Sequence, residues 1–98
     1  MAVFPLMERE FPDFDQTTLP AIPAEWEDCS WHNEPCPCFK VGETGLYVFT
    51  DYAKPEDRDV PELKRFILIR IEGGPAEDLA ASDDFAEIIT AIENTPPL

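Results

Sequence analysis

The spacing of apolar and polar positions changes period along the chain, and the changes mark its elements. From Leu46 to Tyr52 the period is two: Leu46, Val48, Thr50 and Tyr52 point one way, and Tyr47, Phe49 and Asp51 the other. The run is rich in aromatic and β-branched residues, which predicts a strand. Arg65 to Glu72 has the strongest strand pattern, with Ile67, Ile69 and Ile71 on one wholly apolar face and Phe66, Leu68 and Arg70 on the other. It is expected centrally in a sheet, with the isoleucine row facing inward. Cys38 to Val41 reads as an earlier strand, joined to Leu46 through the hairpin loop Gly42-Glu43-Thr44-Gly45.

After Ser82 the period becomes helical. Phe85, Ile88, Ile89 and Ile92 recur at i, i+3, i+4 and i+7, which aligns them in one apolar stripe. The pattern predicts a helix ending near Glu93, before Pro96, with Ser82 as N-cap and Asp83 and Asp84 as acids of the first turn. Ala53 to Lys64, with two prolines and dense charge, reads as a long connection. A Gly-Gly-Pro turn at Gly73 opens a polar stretch up to Ala81 in which no element is expected.

Ahead of these elements, prolines at 5, 12, 20 and 23 interrupt a segment containing Phe4, Leu6, Phe11, Phe14, Leu19 and Ile22. It is expected to be an extended arm, either strapped over the sheet face opposite the helix or mobile and carrying an interaction motif. In the second case Phe11 and Phe14 are the residues that would anchor in a partner's pocket. The fold class that accommodates these pieces is α+β: a small antiparallel sheet of about three strands with one C-terminal helix packed on a face, preceded by a Pro-rich extended N-terminal arm. The boundaries are 1–24 for the arm, 25–95 for a single domain and 96–98 for a C-terminal tail.

Composition refines this picture. Hydrophobic residues at 44% and charged residues at 29% place the chain among globular rather than disordered sequences. The net charge is −14, which disfavours direct contact with nucleic acid or an anionic membrane and favours a basic protein surface as partner. The charge is concentrated at the two ends, while the middle, from Cys29 to Ile71, has seven acids against six bases. Glu77, Asp78, Asp83, Asp84 and Glu87 lie in a stretch without a compensating base. Duplex DNA carries one negative charge per roughly 1.7 Å of axis, so rows of unpaired carboxylates can imitate it. A nucleic-acid-mimicking inhibitor of a DNA- or RNA-binding protein, of the phage antagonist kind, is the specific form of this reading. Acidity that serves solubility alone is the plain one.

The chemistry-bearing cluster is Cys29, His32, Cys36 and Cys38, spaced Cys-x-x-His-x-x-x-Cys-x-Cys. Thiolate and imidazole are zinc ligands, yet structural zinc sites take paired ligands from two well-separated turns, and Pro35 and Pro37 restrict how one short segment could wrap an ion. Zinc or redox chemistry at this cluster is therefore the alternative function. Buried, inert cysteines are the plain expectation, and a disulfide is a third possibility that the odd count of three argues against. No phosphate-cradling glycine loop, Gly-x-Ser-x-Gly elbow or His-Glu-x-x-His helix is present. A non-enzymatic module without a cofactor is thus expected. With no secretory core at the start and no run approaching the roughly 20 apolar residues of a bilayer span, the chain is expected in the cytoplasm.

Overall fold

The computed structural model describes residues 4–71 and 73–95; the expected tail at 96–98, and Glu72 at the end of the expected strand, lie outside the described residues. Within them the chain forms helix α1 (Pro5–Glu10), strands β1 (Trp26–Asp28), β2 (Cys38–Val41), β3 (Leu46–Thr50), β4 (Phe66–Arg70) and β5 (Glu77–Ser82), and helix α2 (Phe85–Asn94). The strands make one antiparallel sheet in the order β1-β2-β3-β4-β5. The class is α+β with a C-terminal helix, as the periodicity indicates, but the sheet has five strands rather than about three.

Both additional strands have sequences that hide them. The segment of β1, Trp-Glu-Asp, is too short to show a period. In β5, Glu-Asp-Leu-Ala-Ala-Ser has little β-branched or aromatic content, and its pairing with β4 slips between Leu68 and Ile69, where Ala80 and Asp78 are the successive partners. This bulge leaves Leu79 as an extra residue and breaks the alternation. The hairpin between β2 and β3 is made by glycine: Gly42 and Gly45 take φ of +52° and +78°, a region closed to most side chains.

Residues 4–24 pack on the domain, but helix α1 interrupts the extended course expected of the N-terminal arm. Pro5 sits in the first turn of α1, where a missing N–H is tolerated, so this proline starts a helix instead of breaking one. Met7 is fully buried, and Phe11 and Phe14 are each 7% exposed. These rings are therefore enclosed in the domain's own core, together with Trp26, Phe39, Val41, Leu46, Val48, Phe66, Leu68 and Ile88, which corrects the expectation of Phe11 and Phe14 as anchors for a partner. Polar bonds fix the segment in place. The Met7 N–H donates to Asp28 Oδ2 at 2.8 Å, Phe4 exchanges two hydrogen bonds with the Gln16 side chain, and the Arg65 guanidinium donates to Thr18 O and Oγ1.

The register decides which face is the core. Val48 pairs with Phe39 on one side and Leu68 on the other, and the side chains of directly opposite residues share a face. Phe39, Val48 and Leu68 therefore line the core face, and all three are fully buried. Met7, Phe11, Phe14 and Ile88 pack against that face, so the N-terminal segment and α2 cover the same side of the sheet. Ile67 and Ile69 belong to the opposite face with Tyr47 and Phe49, their partners across β3. The isoleucine row expected to face inward is thus turned away from both helices.

Helix α2 begins at Phe85, two residues later than its expected start after Ser82. Asp84 is the N-cap, its side chain accepting from the Ala86 N–H at 3.0 Å. Ser82 ends β5 and supports this turn, its hydroxyl accepting from the Asp84 N–H at 3.0 Å and donating to Glu87. The long connection between β3 and β4 is organised by Arg58, a buried guanidinium that donates to the carbonyls of Tyr52, Leu63 and Ala53 at 2.8, 2.9 and 3.2 Å. No helix among the described residues is long and apolar enough to cross a membrane.

Candidate functional site

The four residues of the Cys/His segment are drawn into different roles. His32 is exposed and turned to Glu10, with Nδ1 2.7 Å from Oε1 and its backbone N–H donating to the same oxygen at 3.1 Å. Held by these contacts, the Glu10 carboxyl has its pKa lowered to about 2. Cys36 and Cys38 are buried, Cys29 is half-buried, and all three are free thiols. Burial raises the Cys36 thiol above its ordinary range. Among the described residues, no group of three or more His, Cys, Asp or Glu is placed to hold a metal ion. The spacing that suggested zinc therefore does not converge on a point.

The acidic residues are all at the surface, along one edge and corner. Glu77 and Asp78 lie on β5, the last strand of the sheet, and Asp83, Asp84 and Glu87 cluster where α2 begins. Three of them do local structural work. Asp83 accepts the Arg65 N–H at 2.8 Å and lies 3.8 Å from both Arg58 and Lys64, and this hydrogen bond with the nearby cations lowers its pKa. Asp84 caps α2, and Glu87 accepts the Ser82 hydroxyl. Generic solubility is therefore not the whole account of their presence.

A different feature emerges on the sheet face that carries no helix. Tyr47, Phe49 and Ile67 are only half-buried there; further along the isoleucine row Ile69 is buried, at 4% exposed, and Ile71 is 43% exposed. The connection after β3 runs along this face and adds Val60 and Leu63, 41% and 46% exposed. Together with the segment before β2 it forms a cleft of about 270 Å³, lined by Glu34, Pro35, Cys36, Phe49, Asp51, Asp59, Val60, Leu63 and Ile67. The floor is apolar, three carboxylates stand around it, and no base is among the lining residues. Burial raises the Asp51 carboxyl above its ordinary value, while the Tyr52 N–H donates to its Oδ1 at 2.8 Å. A second cleft shares Leu63 and Ile67 and continues past Glu62 and Asp78 to Leu79 and Ala81 on β5.

Sequence reasoning did not single out Phe49, Val60, Leu63, Ile67, Glu34 or Asp59 as a set. A signal existed: β4 is apolar on both faces, and Val60 and Leu63 are large hydrophobic residues inside an otherwise charged connection. A strand apolar on both sides in a sheet with helices on one side leaves an apolar face toward solvent, which is where partners bind. Comparison of the chain with protein-family models, with curated proteins and with solved structures finds no match to any of them.

Proposed function

We propose that this protein is a non-enzymatic, acidic interaction module that docks on a basic partner surface, with the helix-free sheet face as its contact. The observation that carries the proposal is the cleft itself: an apolar floor of Phe49, Leu63 and Ile67 with Glu34, Asp51 and Asp59 around it. Apolar centres with charged rims are the usual anatomy of protein–protein contacts, the centre supplying affinity and the rim steering and register. A second copy of this chain is a poor occupant, because two molecules each carrying −14 repel one another. A basic segment that presents apolar side chains satisfies both parts of the surface.

The nucleic-acid-mimicking form of the reading uses a different surface, the exposed carboxylates of Glu77, Asp78, Asp83, Asp84 and Glu87. The two forms are separated by capture of partners on immobilised protein at low and high salt. Wild type is compared with Leu63→Lys, which alters the cleft, and with Asp84→Lys plus Glu87→Lys, which alters the acidic corner; because Asp84 and Glu87 also hold the start of α2, each variant is first checked for a native circular dichroism spectrum. Docking through the cleft predicts loss of the partner with Leu63→Lys and only weakening by salt, since apolar burial persists when charges are screened. Retention by Leu63→Lys together with loss from the corner variant would transfer the function to the acidic edge.

A further inference from the structure

The register of the first hairpin brings two thiols face to face. Trp26 pairs with Val41, Glu27 with Lys40 and Asp28 with Phe39; the ladder ends there, and the next residues along the two segments, Cys29 and Cys38, stand opposite one another with the Cys38 N–H turned to Ser30 Oγ at 3.3 Å. The Cys29 N–H donates to Cys38 O at 3.0 Å, and the Cys29 thiol donates to the same oxygen at 3.4 Å. Directly opposed residues of a hydrogen-bonded antiparallel pair have Cα atoms about 5.5 Å apart, inside the range that a disulfide spans. We propose that Cys29 and Cys38 form a reversible intramolecular disulfide, a redox-modification site in which Cys29 is the reacting thiol and Cys38 the resolving one.

Three features assign the roles. Cys29 is half-buried and within reach of a small oxidant, whereas Cys38 is buried. The neighbouring Cys38 side chain draws the Cys29 thiol below its ordinary range in spite of its burial and the nearby Asp28 and Glu27 charges, and the proximity of Cys29 raises Cys38. The thiolate is the nucleophile in such chemistry. Cys36 is a poorer partner, since it precedes Cys38 by two residues of the same chain, across Pro37, and faces the cleft beside Phe49 and Leu63.

The oxidant is a peroxide, and with hydrogen peroxide the steps balance. The Cys29 thiolate attacks one oxygen, an S–O bond forms, the O–O bond breaks, and hydroxide leaves and takes up a proton to become water. The sulfenic acid on Cys29 is then attacked by the Cys38 sulfur, which gives up its proton; the S–S bond forms, the S–O bond breaks and a second water leaves. Two thiols lose two electrons to one peroxide, and a dithiol reductant reverses the change. Cross-strand bonds at such positions are constrained and easily reduced, as regulatory disulfides are. The bond would close the segment from Ser30 to Pro37, which holds Trp31, 51% exposed.

The test is peroxide treatment of the purified protein, followed by intact mass and peptide mapping. Wild type and Cys36→Ser are expected to lose two hydrogens, to show one Cys29–Cys38 cross-linked peptide, and to recover fully with dithiothreitol. Cys38→Ser is expected to stop at a sulfenic acid on Cys29 that dimedone labels. A cross-link through Cys36, a purely intermolecular disulfide, a stable sulfenic acid in wild type, or no reaction under conditions that fully oxidise glutathione would each overturn the proposal. The wild-type map decides the matter alone if Cys38→Ser does not fold.

Discussion

Leu68 and Ile67 are neighbours on β4 and point to opposite faces of the sheet, so truncating each in turn measures which face holds the fold together. Leu68 is fully buried between Val48 and Ala80, in the cluster that Met7, Phe11 and Ile88 close over. Leu68→Ala removes three carbons, about 2.4 kcal/mol of transfer free energy at roughly 0.8 per carbon. The cavity left under two covering elements brings the loss to about 3 kcal/mol. For a chain of this size each kcal/mol lowers Tm by about 4–5 °C, so a fall of about 12–15 °C is expected. Ile67 is half-buried with no helix over it. Ile67→Ala leaves an open notch rather than a cavity, and its expected loss is about 1 kcal/mol. β-Branched isoleucine forfeits more strand preference than leucine on replacement by alanine, which works against the expected order, so a larger loss at Leu68 reports packing. Urea unfolding followed by circular dichroism, with an unchanged m-value, measures both losses. Equal losses, or a larger one for Ile67→Ala, would refute the face assignment and with it the open cleft.

Two further predictions concern ends and charges. Asp84→Ala should destabilise by about 1 kcal/mol through loss of the α2 cap, while exposed Thr90→Ala changes stability by less than about 0.5 kcal/mol; equal effects in the same urea assay would place the helix start elsewhere. Glu10, held by His32, has its folded pKa lowered from 4.5 to about 2, so its contribution is fully present above pH 4.5 and is lost as pH falls through about 2. The stability advantage of wild type over Glu10→Gln should therefore shrink as pH falls from 4.5 towards about 2, and an advantage that grows across that interval would contradict the pairing.

Elements with a continuous period were legible in the sequence, and those without one were not. β3 and α2 follow from alternation and from the Phe85, Ile88, Ile89, Ile92 stripe, and the observed elements match them closely. β1 spans three residues and β5 contains a bulge, so neither presents a repeat that a reading of alternation can detect. Pro5 reads as an interruption in the sequence, because a proline in isolation does not tell a helix start from a break. The choice of core face on β4 was not decidable from β4 alone, because both of its faces are apolar; it depends on where Met7, Phe11, Phe14 and Ile88 arrive from distant parts of the chain. The candidate sites inherit these limits. The opposition of Cys29 and Cys38 exists only because β1 pairs with β2, and the cleft exists only because both helices cover the other face.

The proposed docking of a basic apolar segment on the helix-free face, with its carboxylate rim, can be measured on the protein itself. The direct measurement is a titration of isotope-labelled protein with a synthetic amphipathic helical peptide of leucine and arginine, followed by amide chemical shifts. Docking on this face produces saturable shifts centred on Phe49, Asp59, Leu63 and Ile67 that weaken at high salt and disappear in Ile67→Lys. Shifts confined to Asp83, Asp84 and Glu87, shifts that survive Ile67→Lys unchanged, or no saturable shifts at all would contradict it.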